Sequence, residues 1–241
     1  MQQKDWSQRI MVGITGNKTI HWQSKLNEIE KYKITEAALF LECFKQPQRQ
    51  KIYQALLGSV IKSIPLVHIR NDMTRQELKF LSKNFGSQYF TIHEDSFKAL
   101  AKWRGYYKKL FLELNTDNFV SEIVDVEKIG GFCVDLSHFK AAEQKWSHEF
   151  TYIISQNNKN NKKIKKNKQF LFACNHLNGY SYKKNTDLHT VNSLQDFDYL
   201  KTIPKFLFGQ VIALECNNSI TEQLKFKQYL VGMLNKWGNY A

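Results

Sequence analysis

Proline is scarce in this 241-residue chain, with three in all, and they are scattered. No stretch rich in Pro, Gly or Ser divides the sequence, so no linker marks a domain boundary and one domain over 1–241 is expected. Cysteine is equally sparse. Cys43, Cys133, Cys174 and Cys216 lie far apart, each in an apolar run. That spacing offers neither a CxxC zinc knuckle nor a small disulfide framework, and buried, reduced thiols are expected instead. Long hydrophobic runs are missing as well: none approaches the ~18–20 residues that a spanning helix needs. Met1–Arg9 is polar, with no apolar segment of signal-peptide length behind it, so a cytoplasmic protein without a membrane partner is expected. Finally, Gly13-Ile14-Thr15-Gly16 does not complete GxGxxG, the phosphate loop of an open doubly wound sheet.

What is present is an ordinary globular composition, 42% hydrophobic and 24% charged, too apolar for a disordered chain. The charge is less ordinary. Thirty-five Lys and Arg face 22 Asp and Glu, a net +13 that points to a polyanionic partner such as nucleic acid. Nearly half of that excess is local, because Asn157–Lys168 holds six lysines and no acid. A solvated, mobile Lys/Asn-rich loop is expected there.

Short apolar runs alternate with amphipathic stretches along the whole chain. The runs are Ile10–Thr15, Ala37–Phe44, Ile64–Ile69, Tyr89–His93, Leu110–Leu114, Phe132–Leu136, Phe170–Cys174 and Val211–Cys216. Between or after them, helical patterns cover Trp22–Tyr32, Gln48–Lys62, Thr74–Phe85, Ser96–Tyr107, Val120–Lys128, Phe139–Ser155, Leu194–Leu200 and Thr221–Leu234. Thr74 with Glu77 forms a capping-box signature, and Asp95 and Ser193 are candidate caps. Strand and helix thus alternate eight times, the order and size of an α/β fold with a single (β/α)8 TIM barrel.

In such a barrel, chemistry gathers at the C-terminal ends of the strands. The runs end near Glu42, at His68, at His93, at Glu113, and at Asp135 with His138 just beyond. Run seven is followed by His176 and then by Asp187 and His189, and run eight carries Glu215. His21 and His148 fall elsewhere and are read as surface residues. Carboxylates and imidazoles crowded at one mouth repel one another and lose water unless a cation joins them. Mixed nitrogen and oxygen ligands suit Zn, Mn or Fe better than Mg or Ca. Leaving Glu42 aside, nine candidate ligands, four carboxylates and five imidazoles, exceed what one tetrahedral ion can use, so two or three ions are expected.

These residues resemble the xylose-isomerase-like barrel superfamily, and within it most closely endonuclease IV, the zinc-dependent apurinic/apyrimidinic endonucleases. The resemblance spans nearly the whole chain. It rests on Cys133-Val-Asp-Leu-Ser-His-Phe-Lys-Ala-Ala142, on His176-Leu-Asn178, on Asp187-x-His189, and on Phe44-Lys-Gln-Pro-Gln-Arg-Gln50 after strand two. It implies three zinc ions. His68 and His93 would hold the first, with Glu113 bridging to a second on Asp135, His176 and Glu215; His138, Asp187 and His189 would hold the third. Glu113, Glu215 and His138 would be the catalytic residues of a DNA-repair hydrolase cutting beside abasic sugars. The sugar and sugar-phosphate isomerase/epimerase branch, using one ion, is the alternative. Arg49, Arg70, Lys183 and Lys184 follow strand ends and are candidate contacts to a substrate phosphate.

Overall fold

All eight apolar runs become strands in a computed structural model that describes residues 5–16, 21–114, 119–163 and 171–238. After a four-residue helix α1 (Trp6–Arg9) come β1 (Ile10–Met11) and β2 (Gly13–Ile14), helix α2 (Trp22–Tyr32), β3 (Ala38–Phe40) and α3 (Gln46–Leu57). They are followed by β4 (Leu66–His68), α4 (Arg75–Phe85), β5 (Tyr89–Ile92) and β6 (Leu110–Leu112). Next come β7 (Gly131–Asp135), α5 (Leu136–Gln144), α6 (His148–Lys163) and β8 (Phe172–Leu177). A hairpin of β9 (Gly179–Ser181) and β10 (Thr186–Leu188) precedes β11 (Val211–Leu214) and α7 (Ile220–Gly238). Two longer 3-10 segments, Glu94–Trp103 and Leu194–Thr202, take the place of α-helices expected at those points.

The strands form one parallel sheet in the order β1-β11-β8-β7-β6-β5-β4-β3-β2, a nearly closed barrel. It has nine strands where eight were expected. The extra one arises because the first run is split at Val12: Met11 pairs with Ala213 of β11, whereas Gly13 pairs with Ala38 of β3. At the split a side chain completes the bonding. Gln223 of α7, fully buried, accepts from the Gly13 N–H at 2.7 Å and donates to the Gly13 carbonyl at 3.1 Å. Gly13 is required here, since a Cβ would collide with the Leu214 carbonyl oxygen and lie 2.8 Å from the Phe40 ring. Lys25 of α2 adds a second tie by donating to Thr15 Oγ1 (2.6 Å) and to the Cys216 carbonyl (2.5 Å).

Period-two alternation sorts the strands into two faces. Val12, Leu39, Val67, Phe90, Leu112, Val134 and Ile212 belong to the large core between sheet and helices. Met11, Phe40, Leu66, Phe111, Cys133, Cys174 and Ala213 form a smaller cluster inside the barrel. Two residues beyond several of these interior positions, still facing inward, come His68, Glu113, Asp135, His176 and Glu215.

Several local expectations are met. Helix α2 has the expected bounds, and Thr74 and Glu77 form the capping box, with Thr74 N–H donating to Glu77 Oε2 at 2.9 Å. Ser193 caps its 3-10 segment, whereas Asp95 lies inside the first turn behind His93 and caps nothing. The stretch read as one helix over Phe139–Ser155 is two, broken at Trp146, whose φ of 51° is left-handed. The lysine tract is not a loop where it is described: residues 157–163 continue α6, and the rest lies outside the described residues. Cys133, Cys174 and Cys216 are buried and free as expected; Cys43, also free, is exposed.

Candidate metal centre

Strand geometry delivers the ligands. His68 closes β4, His93 follows β5, Glu113 follows β6, Asp135 closes β7, His176 lies within β8 and Glu215 follows β11. Asp135 does two jobs. As the N-cap of α5 its Oδ1 accepts from the N–H groups of Ser137 (2.8 Å) and His138 (2.9 Å) and from Ser137 Oγ (2.7 Å). That start to α5 carries His138 over the barrel mouth, where its Nδ1 lies 3.8 Å from Glu113 Oε1.

The side chains converge in three overlapping groups whose ligand atoms all lie within 4.8 Å of one another. They are His68 with His93 and Glu113; Glu113 with Asp135, His176 and Glu215; and His68 with His176 and Glu215. His176 Nδ1 stands 3.0 Å from Glu113 Oε2 and 3.2 Å from Glu215 Oε2. His68 Nε2 is 3.6 Å from Glu113 Oε2 and 3.1 Å from His93 Nε2. The first two groups are the first and second metal sets that the resemblance implies, and both contain Glu113.

Unmet hydrogen-bonding capacity is concentrated at the same place. His68 Nδ1, His93 Nδ1, Glu113 Oε2, His138 Nδ1 and His176 Nδ1 are all buried without a hydrogen-bond partner. Each such atom costs free energy, and Glu113 Oε2 with His176 Nδ1, 3.0 Å apart, are atoms that a bound cation would satisfy. The donor set, imidazole nitrogen mixed with carboxylate oxygen, fits a borderline ion such as zinc. His176 Nε2 meets Thr91 Oγ1 at 3.2 Å, and Asn178 Nδ2 donates to Asp135 Oδ2 at 2.8 Å, so partners outside the cluster orient its members.

The charges are mutually dependent. Burial works to raise the Glu113 carboxyl, but His176 and His68 outweigh it and hold it down at about 2. Burial likewise opposes the ionised forms of His176 and Glu215, yet facing charges prevail, raising His176 and lowering Glu215. Asp135 is raised, chiefly by burial, and His93 is lowered by the same cause.

The third set is assembled less tightly. Asp187 Oδ2 lies 3.0 Å from His189 Nε2 and 3.9 Å from His138 Nε2, so the three residues meet pairwise on Asp187 without forming a group like the other two. The two imidazoles beside it, His138 and His189, lower the Asp187 carboxyl, and Asp187 in turn raises His189 to about 9. His21 and His148 are exposed, as expected of surface residues.

The phosphate candidates separate. Arg49 is 0% exposed; its Nε and Nη2 donate to Glu77, and Nη1 donates to Asp72 and to the Phe44 carbonyl. It braces the loops after β3 and β4 from inside the fold. Arg70 is partly exposed beside Asp72 (3.3 Å) and donates to the Glu42 carbonyl. Lys183 and Lys184 are exposed at the tip of the β9–β10 hairpin, and Lys184 also lines a cavity of about 320 Å³ that reaches Asp135, His138 and Asp187.

Sequence reasoning gave no role to Thr91 or to the Asn178 of the His176-Leu-Asn178 motif, which support His176 and Asp135. Thr91 was legible, since it precedes His93 by two and shares its face. Asn178 was not, because its role depends on β8 lying beside β7. Run seven was also read short: β8 extends to Leu177, so His176 is a strand residue. No family model and no curated protein matches the chain. No helix among the described residues is long and apolar enough to cross a membrane.

Proposed function

We propose that β1 and β2 are one interrupted strand of a (β/α)8 TIM barrel, and that the chain is a metal-dependent phosphodiesterase resembling endonuclease IV that cleaves DNA at abasic sites. The observation that carries this reading is the sharing of Glu113 between two ligand groups, with His68 and His93 on one side and Asp135, His176 and Glu215 on the other. Paired divalent ions, zinc foremost with Mn or Fe as alternatives, would supply a water-derived nucleophile near neutral pH and neutralise charge on a phosphate.

The protein's part is positioning. Thr91 and Asn178 orient His176 and Asp135. Glu113, held ionised by His176 and His68, presents one oxygen toward them and the other toward His138. His138 lies between Glu113 and Asp187, so it can steady the phosphate or the departing oxygen between the two sides of the mouth.

The second reading, a sugar or sugar-phosphate isomerase or epimerase, is favoured by the completeness of the fully buried Glu113, Asp135, His176 and Glu215 group. One ion there would leave Glu113 and Glu215 to move a proton beside a carbonyl. Metal-replete protein incubated with an abasic duplex at low salt separates the two. Incision that is lost on chelation and restored by zinc is expected; an intact duplex with conversion of a ketose phosphate would decide for the isomerase.

A further inference from the structure

We infer that the β9–β10 hairpin grips a polynucleotide strand, Tyr182 stacking on a base while Lys183 and Lys184 take phosphates flanking the one at the metal centre. The inference rests on the phosphodiesterase reading and adds a specificity element to it.

The base of the hairpin is tied into the fold. Its ladder pairs Gly179 with Leu188, Tyr180 with Asp187 and Ser181 with Thr186. Asn185 adopts a left-handed φ of 48° to close the turn, accepts from Tyr180 Oη and donates to the Ala141 carbonyl of α5 at 3.3 Å. Lys184 N–H donates to Ser181 Oγ at 3.3 Å, and Tyr180 is buried against Tyr199 with ring centroids 5.4 Å apart. Asp187 on β10, between His138 and His189, ties this frame to the candidate metal centre.

The tip has the opposite character. Tyr182 is 58% exposed, although the nearby Tyr180 ring, at 5.0 Å and 84°, is buried. An exposed aromatic on a fixed hairpin offers a ring to a stacked base with little ordering cost. Lys183 and Lys184 follow it, both exposed, and the hairpin's one acid, Asp187, is engaged by histidines instead of lysines. Lys184 and Lys145 both line the 320 Å³ cavity, together with Asp135, His138, Glu149 and Asp187, so two ammonium groups stand beside the site for a phosphate to use. A ring beside lysines, leading toward a phosphodiester centre, matches the alternation of bases and phosphates along one strand. A small sugar phosphate held inside the cavity would not reach Tyr182.

The test measures binding apart from cleavage. Metal-replete protein is titrated against a labelled abasic duplex carrying a non-hydrolysable methylphosphonate at the scissile position, over a range of salt concentrations. Lys183→Gln with Lys184→Gln should weaken binding about tenfold or more at moderate salt and flatten the plot of log K against log salt by about 1.4 to 1.8. Tyr182→Ala should weaken it about tenfold, and Tyr182→Phe should bind as the parent does. The bound metal per chain should be the same in every variant. Unchanged affinity and salt slope, no binding by the parent protein, or variants that lose metal along with affinity would each overturn the grip. If the parent binds the duplex and the tip variants do not, but no cleavable duplex is incised, the grip stands and the phosphodiesterase reading falls.

Discussion

Arg49 shows how one side chain can satisfy a sequence pattern and serve another purpose. Its place after strand two suggested a phosphate contact, yet its guanidinium is buried against Glu77 and Asp72. Removing one partner of a buried pair strands the other charge, so Arg49→Met should lower stability by about 3–5 kcal/mol in urea unfolding. Full stability with weakened DNA binding would return Arg49 to the phosphate role. Asp135 behaves differently. Asn in its place keeps an oxygen for the Ser137 and His138 N–H groups but lacks the charge a cation needs. Asp135→Asn should therefore retain the fold by circular dichroism while losing at least one equivalent of bound metal and the activity with it. An unfolded variant would make the carboxylate structural.

At the level of elements, the split first strand is the joint on which closure depends. A methyl group at Gly13 has no room between the Leu214 carbonyl and Phe40, so Gly13→Ala should cost about 1–3 kcal/mol, read from the urea midpoint. A variant as stable as the parent would mean that the joint yields. The other tie, Lys25, gives a pH signature. Burial lowers its ammonium from 10.5 to about 8, so the folded state prefers the neutral amine more than the unfolded state does. The penalty is fully present below pH 8 and is relieved as pH rises from 8 to 10.5, because the unfolded chain then binds the extra proton. Stability of the parent relative to Lys25→Met should climb over that window, and a flat difference would show that Lys25 stays charged in the fold. The hairpin is an element that the sequence pattern does not reveal, because two three-residue strands are too short for alternation to stand out.

Taken as a whole, the molecule is an apolar barrel with a crowded, charged mouth, and cations should contribute to its stability. A ligand that binds only the folded state adds RT ln(1 + [L]/Kd), about 2.7 kcal/mol at a hundredfold excess over Kd. Chelation should therefore lower Tm, and added zinc should raise it with the logarithm of its concentration. Because the two ligand groups that share Glu113 are buried apart from a half-buried His93, while Asp187 and His189 stand partly exposed, two ions per chain should survive dialysis against a weak chelator and any third should be lost first. A Tm indifferent to both treatments would remove the metal centre.

The alternation of runs and helices was set by local pattern, since eight apolar segments with polar residues at their ends already specify parallel strands and the face on which His68, Glu113, Asp135 and Glu215 emerge. Period two is a property of the backbone and needs no neighbour. Which residues meet is a different matter. That Glu113 serves two ligand groups, that Asn178 reaches Asp135 from the adjacent strand, that Asp187 joins His138 to His189, and that Arg49 is sealed inside while Lys184 faces the cavity all depend on contacts between segments distant in the chain. Closure of the sheet brings those segments within a side chain's reach, and the sequence carries no local signal for that distance.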